Sequence, residues 1–111
     1  MTTEAPMTRR TLLPARRLAD TLNFQWGNGE HSLTVGYFDD RQPAEVFINL
    51  HSATCGSELE AVARDGAILV SLALQHGCPL ETIRGALTRT LAGEPRTVIG
   101  SAVDTIIKGV K

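Results

Sequence analysis

Several features that would announce a function are missing from this sequence. The net charge is −1, so the basic excess of a dedicated nucleic-acid binder is lacking. No apolar run reaches the length of a membrane span. The N-terminus has no apolar core of a secretory signal, which points to a cytoplasmic protein without a membrane partner. There are two cysteines, Cys55 and Cys78. No Cys-x-x-Cys is present to shuttle electrons, and in a reducing compartment two free thiols are expected rather than a structural disulfide. Internal repeats and low-complexity segments are absent. With 111 residues, 42% of them hydrophobic, one globular domain with its own core is expected.

What is present is organised around residues 51–76, HSATCGSELEAVARDGAILVSLALQH, a small-residue loop that runs into one long amphipathic helix. Leu59, Val62, Ala63, Gly66, Leu69, Val70, Ala73 and Leu74 recur at helical spacing and predict the buried stripe. Ser57 with Glu60 three residues on forms a capping box, Gly77 offers a left-handed stop, and Pro79 prevents continuation. A glycine in mid-stripe costs helix stability, so Gly66 predicts close approach of another backbone, with the helix crossing a small sheet at that point.

The sheet comes from the preceding residues. Residues 21–26 alternate, with Leu22, Phe24 and Trp26 on one side. Gly27-Asn28-Gly29 is a tight-turn signal. Residues 31–38 alternate again through Leu33, Val35 and Tyr37. After the polar turn Asp39-Asp40-Arg41-Gln42-Pro43, residues 44–50 place Val46, Ile48 and Leu50 inward. Phe47 on the opposite face, together with Phe38, suggests a second covered face. After the long helix, Cys78 and Pro79 open a second helix with Leu80, Ile83, Ala86 and Leu87 as its apolar edge. Thr97 caps a third, striped by Val98, Ile99, Ala102, Val103, Ile106, Ile107 and Val110. The fold class is therefore α+β: a three-stranded antiparallel meander, then a long helix and two shorter helices, packed on one face. Residues 1–19, with Arg9, Arg10, Arg16 and Arg17, read as a flexible basic leader, leaving 20–111 as the single folded domain. The leader's alternatives are an arm for an acidic partner or phosphate, or an organelle-targeting peptide.

Three chemistries deserve a test on these residues. His31, His51, Cys55, His76 and Cys78 are zinc-ligand types. However, a helix rising about 1.5 Å per residue separates the pair before it from the pair after it by roughly 25 Å, so no metal site and no intrachain Cys55–Cys78 disulfide is expected. Thr54, Cys55, Gly56 and Ser57 open the helix, where free N–H groups attract anions, although the Lys and the spacing of a P-loop are missing. Cys55 near a helix N-terminus could act as a nucleophile with His51 as its base.

The run AEVFINLHSATCGSELEAVARDGAILVSLALQHGCPLETIRGAL resembles the TSCPD domain found near the C-terminus of adenosylcobalamin-dependent (class II) ribonucleotide reductases. The resemblance is carried by Val46-Phe47-Ile48-Asn49-Leu50, Gly56-Ser57-Glu58-Leu59-Glu60, Ser71-Leu72-Ala73-Leu74 and Gly77-Cys78-Pro79-Leu80. It implies a relation to deoxyribonucleotide synthesis, in which adenosylcobalamin serves the full-length enzymes. The Cys-Pro-Asp string that names the domain is missing here, since Cys55 precedes Gly56 and Cys78 precedes Pro79-Leu80. No catalytic residue and no cofactor site carries over to this chain.

The expectation is thus a stand-alone accessory or binding domain. It would act through a homodimer, a reductase large chain or, more weakly, nucleic acid held on the exposed sheet face. The enzymatic alternative is a small subunit contributing to ribonucleoside-diphosphate reductase or thiol-redox activity through Cys55.

Overall fold

The computed structural model describes residues 9–27, 29–51 and 57–109. Within them the chain forms β1 (Ala19–Trp26), β2 (Gly29–Tyr37), β3 (Pro43–Asn49), α1 (Glu58–Gln75), α2 (Leu80–Ala86) and α3 (Val98–Gly109). The strands make one antiparallel sheet in the order β1-β2-β3, followed by three helices of which the first is longest.

The alternating pattern sets the register. Leu22 opposes Leu33, and Leu33 opposes Ile48, so one face of the sheet is apolar across all three strands. At the first hairpin Gly27 adopts φ +60, a conformation that a glycine reaches without a Cβ penalty. At the second, Phe38 N donates to Gln42 O at 2.9 Å and Arg41 N to Phe38 O at 2.9 Å. Arg41 sits there at φ +69, a left-handed conformation that costs a non-glycine residue about 1–2 kcal/mol. The pairing shifts between Gly36 and Tyr37 to accommodate this turn.

The α1 helix starts where its chemistry predicts: Ser57 Oγ accepts from Glu60 N at 3.2 Å. It ends at His76, with Gly77 at φ +92. Its buried side differs from the expected stripe. Ala63, Ala67, Val70 and Leu74 enter the core, whereas Leu59, Val62 and Leu69 remain exposed. The reason is a polar pair that periodicity of apolar residues does not register. Ser71 Oγ accepts from Val46 N at 2.8 Å, and its hydroxyl is within reach of Val46 O (3.2 Å) and Ala67 O (2.8 Å). Gln75 is buried and donates Nε2 to Ala44 O at 3.0 Å. These bonds satisfy backbone groups of β3 that would otherwise form a free sheet edge, and they roll α1 so that Ser71 and Gln75 face β3.

Gly66 does meet another element, but it is α3 rather than the sheet. A Cβ built there would lie 3.4 Å from Ile99 Cβ and Cγ1. α2 opens one residue later than expected, with Pro79 as its N-cap. Thr97 caps α3 as expected, its Oγ1 accepting from Gly100 N at 3.0 Å. α3 packs chiefly on β1 and α2, beside α1. The core is closed by Leu33, Val35, Val46, Val103 and Ile106, all essentially inaccessible to solvent.

The described residues ahead of β1 are tied to the domain. Thr11 N donates to Gln75 O at 2.7 Å, and Arg10 Nε to Gln75 Oε1 at 2.6 Å. Arg17 Nε meets Glu45 Oε2 at 2.6 Å. The strand itself begins at Ala19, two residues before the alternation becomes visible in sequence.

Two stability changes follow. Gln75→Leu leaves the Ala44 carbonyl and the Arg10 guanidinium without their partner and should lower unfolding free energy by about 1–3 kcal/mol in urea titration. An unchanged midpoint would show that the edge bonds carry no weight. Gly66→Ala places its methyl in ordinary contact with Ile99 and removes the glycine penalty. It should therefore stabilise the fold by up to about 1 kcal/mol, and a loss would mean that α3 sits closer than the 3.4 Å approach.

Candidate functional site

Two regions gather polar side chains. The first is the exit of β3 toward α1. His31 is buried at 3% exposure and its ring lies 5.8 Å from that of Phe24, tilted by 54°. Its Nδ1 accepts the backbone N–H of His51 at 3.1 Å, so that nitrogen carries no proton in this arrangement. The His51 ring reaches the opposite face of β2, where Nε2 lies 2.8 Å from Ser32 Oγ. The chain thus crosses the end of the sheet pinned on both faces.

Of the site residues expected from sequence, His51 and Ser57 are described, whereas Thr54, Cys55 and Gly56 lie outside the described residues. The partner seen for His51 is Ser32 and that for Ser57 is the first turn of α1. Ser32 was not a sequence candidate. The signal that could have found it is register: Ser32 opposes Asn49, two residues before His51. Among the described residues no group of three His, Cys, Asp or Glu side chains is placed to hold a metal ion. The 18 residues of α1 span about 27 Å at the usual rise, with His51 preceding the helix and Cys78 following it.

The second region is a cleft of about 900 Å³. It is walled by residues 11–14, the β2–β3 turn, the corner between α1 and α2, and the end of α3. Leu74, Leu80 and Ile106 form apolar lining, while Asp39, Asp40 and Glu81 line it with carboxylates. Cys78 stands beside them, half-buried, its thiol 3.8 Å from Pro79 O. The strained Arg41 also lines this cleft.

Two electrostatic contacts stand out. Tyr37 OH donates to Asp20 Oδ2 at 2.8 Å. Burial, then this bond and the carboxylate's charge, push the phenol up to about 12. Near α3, the hydrogen bond from Arg89 to Asp104, with Arg84 adding charge, holds the Asp104 carboxyl below its ordinary value.

Within this α+β frame, the described polar groups mostly serve backbone and register: a histidine pair closes the sheet end and an apolar-floored cleft flanks the α1–α2 corner. Comparison with known proteins identifies the frame. The profile of the TSCPD domain matches residues 7–111, and the chain belongs to that family. Among curated proteins it is similar to the vitamin B12-dependent ribonucleotide reductase of Bradyrhizobium diazoefficiens, 36% identical over 76% of this chain and 6% of that one. The enzyme of the same name from Agrobacterium fabrum is 37% identical over 73% of this chain and 6% of its own length. That from Rhodopirellula baltica is 34% identical over 74% and 8%. The chain therefore spans under a tenth of the relatives it matches. No solved structure matches it.

At about 900 Å³ the cleft is of the size that takes drug-sized ligands. Among the described residues, no helix is long and apolar enough to cross a membrane.

The single tyrosine of the chain makes one contact directly measurable. Ultraviolet titration of the phenolate should give a midpoint near 12, and Asp20→Asn should lower it. The folded value lies above the unfolded one, so this group's stabilisation is complete below about pH 10 and is lost as pH rises toward about 12. A midpoint at the ordinary value in the folded protein would contradict the contact.

Proposed function

We propose that this protein is a cytoplasmic accessory domain of deoxyribonucleotide synthesis, and thus of DNA synthesis, acting by protein interaction rather than by turnover. The observation that carries the reading is the coverage. About three quarters of this chain matches enzymes named as ribonucleotide reductases, yet the match is a small fraction of each. A segment of that size in a large enzyme has the dimensions of one appended module. The bonding of His51 to Ser32 and of Ser57 to Glu60 is also what a structural corner requires, which favours a binding role over a nucleophilic one.

The partner proposed is a reductase large chain. The net charge of −1 favours a protein over nucleic acid, which a basic excess would attract. Affinity capture of the full chain from its native cell should recover that large chain. Cys55→Ser should leave the capture unaltered, because the role assigned here uses no thiol. Recovery of no reductase, or a loss of capture on Cys55→Ser, would overturn the proposal in favour of a different partner or of thiol chemistry.

A further inference from the structure

The outward side of α1 carries Leu59, Val62, Leu69 and Leu72, between 36% and 66% exposed. These are not scattered. Their spacing along the helix is three, seven and three residues, which reads the same in both directions about a centre between Asp65 and Gly66. Ile68 and Phe47, 48% and 54% exposed, extend the surface on one flank. With Ser71 held to the β3 edge, Ile68 and Leu72 lie toward the sheet face that carries Phe47. Together these six residues expose on the order of 600 Å², the upper end of what a typical monomer shows in one patch and near the ~800 Å² per partner of a standard interface.

We propose that this face is a two-fold interface between two copies of the chain, with the α1 helices antiparallel across it. Antiparallel pairing about the centre of the pattern sets Val62 against the partner's Leu69 and Leu59 level with the partner's Leu72, so that each copy supplies what the other lacks. Asp65 is the one charged side chain within the stripe, and the two-fold axis places it beside its own copy. The interface is independent of the reductase reading above, since it requires only a second copy of this chain.

Sedimentation equilibrium of the full chain tests this. The wild type is expected to be a reversible dimer. Leu69→Asp should weaken it by about 30-fold or more, the scale of losing a central anchor. Asp65→Asn removes a like-charge contact across the axis and should tighten the dimer several-fold. Because Asp65 is exposed, this variant tests the interface without disturbing the core, and far-UV circular dichroism checks that both variants fold. A chain that remains monomeric overturns the proposal. So does a dimer indifferent to Leu69→Asp, an Asp65→Asn variant that associates no more tightly, or a monomer whose α1 face is needed only for capture of a reductase.

Discussion

Two polar side chains on one helix decide how this domain is arranged. Ser71 and Gln75 reach from α1 to the backbone of β3 and take up an edge that a three-stranded sheet leaves open. A helix docked by its apolar stripe alone would lie over the sheet. A helix that also answers the hydrogen-bonding groups of an edge strand must be rolled toward that edge. The roll explains why Ala63, Ala67, Val70 and Leu74 are buried while Leu59, Val62 and Leu69 are not. It also explains how Gln75, buried and bonded on every side, ties down the segment ahead of β1 through Arg10 and Thr11.

The same economy governs the pre-helix corner. His31 and His51 could be read as ligands or bases, yet one accepts a backbone N–H and the other meets Ser32 across the end of the sheet. Buried polar groups in a small domain must be satisfied, because each orphan costs about 1–3 kcal/mol. Among the described residues, no buried side-chain nitrogen or oxygen lacks a partner. The buried polar residues His31, Ser32 and Gln75 are thereby committed to structure.

Much of the architecture was legible because it is written in local chemistry. Alternation of Leu33, Val35 and Tyr37, the turn at Gly27, the cap at Ser57, the stop at Gly77 and the cap at Thr97 each act within a few residues. What was not legible required partners distant in sequence. Ser71 looks like a neutral interruption until Val46 lies opposite, and Gly66 signals a close approach without saying that Ile99 makes it. The site was legible to a smaller extent. His51 was singled out, but its partner follows only from the β2–β3 register, and Cys55 with its neighbours falls outside the described residues. The family was legible from strand, loop, cap and helix break occurring in order, and the match over residues 7–111 agrees with it.

Membership of the TSCPD family places this chain beside large reductases of which it matches a small part. The central claim is that α1 completes the edge of β3. Amide hydrogen exchange at Val46 tests it most directly, because that N–H points away from β2 and has Ser71 as its acceptor. The account predicts slow exchange in the wild type, comparable to the central strand, and a sharp acceleration in Ser71→Ala. Exchange at the rate of an open edge in the wild type, or protection that survives the loss of the hydroxyl, would contradict it.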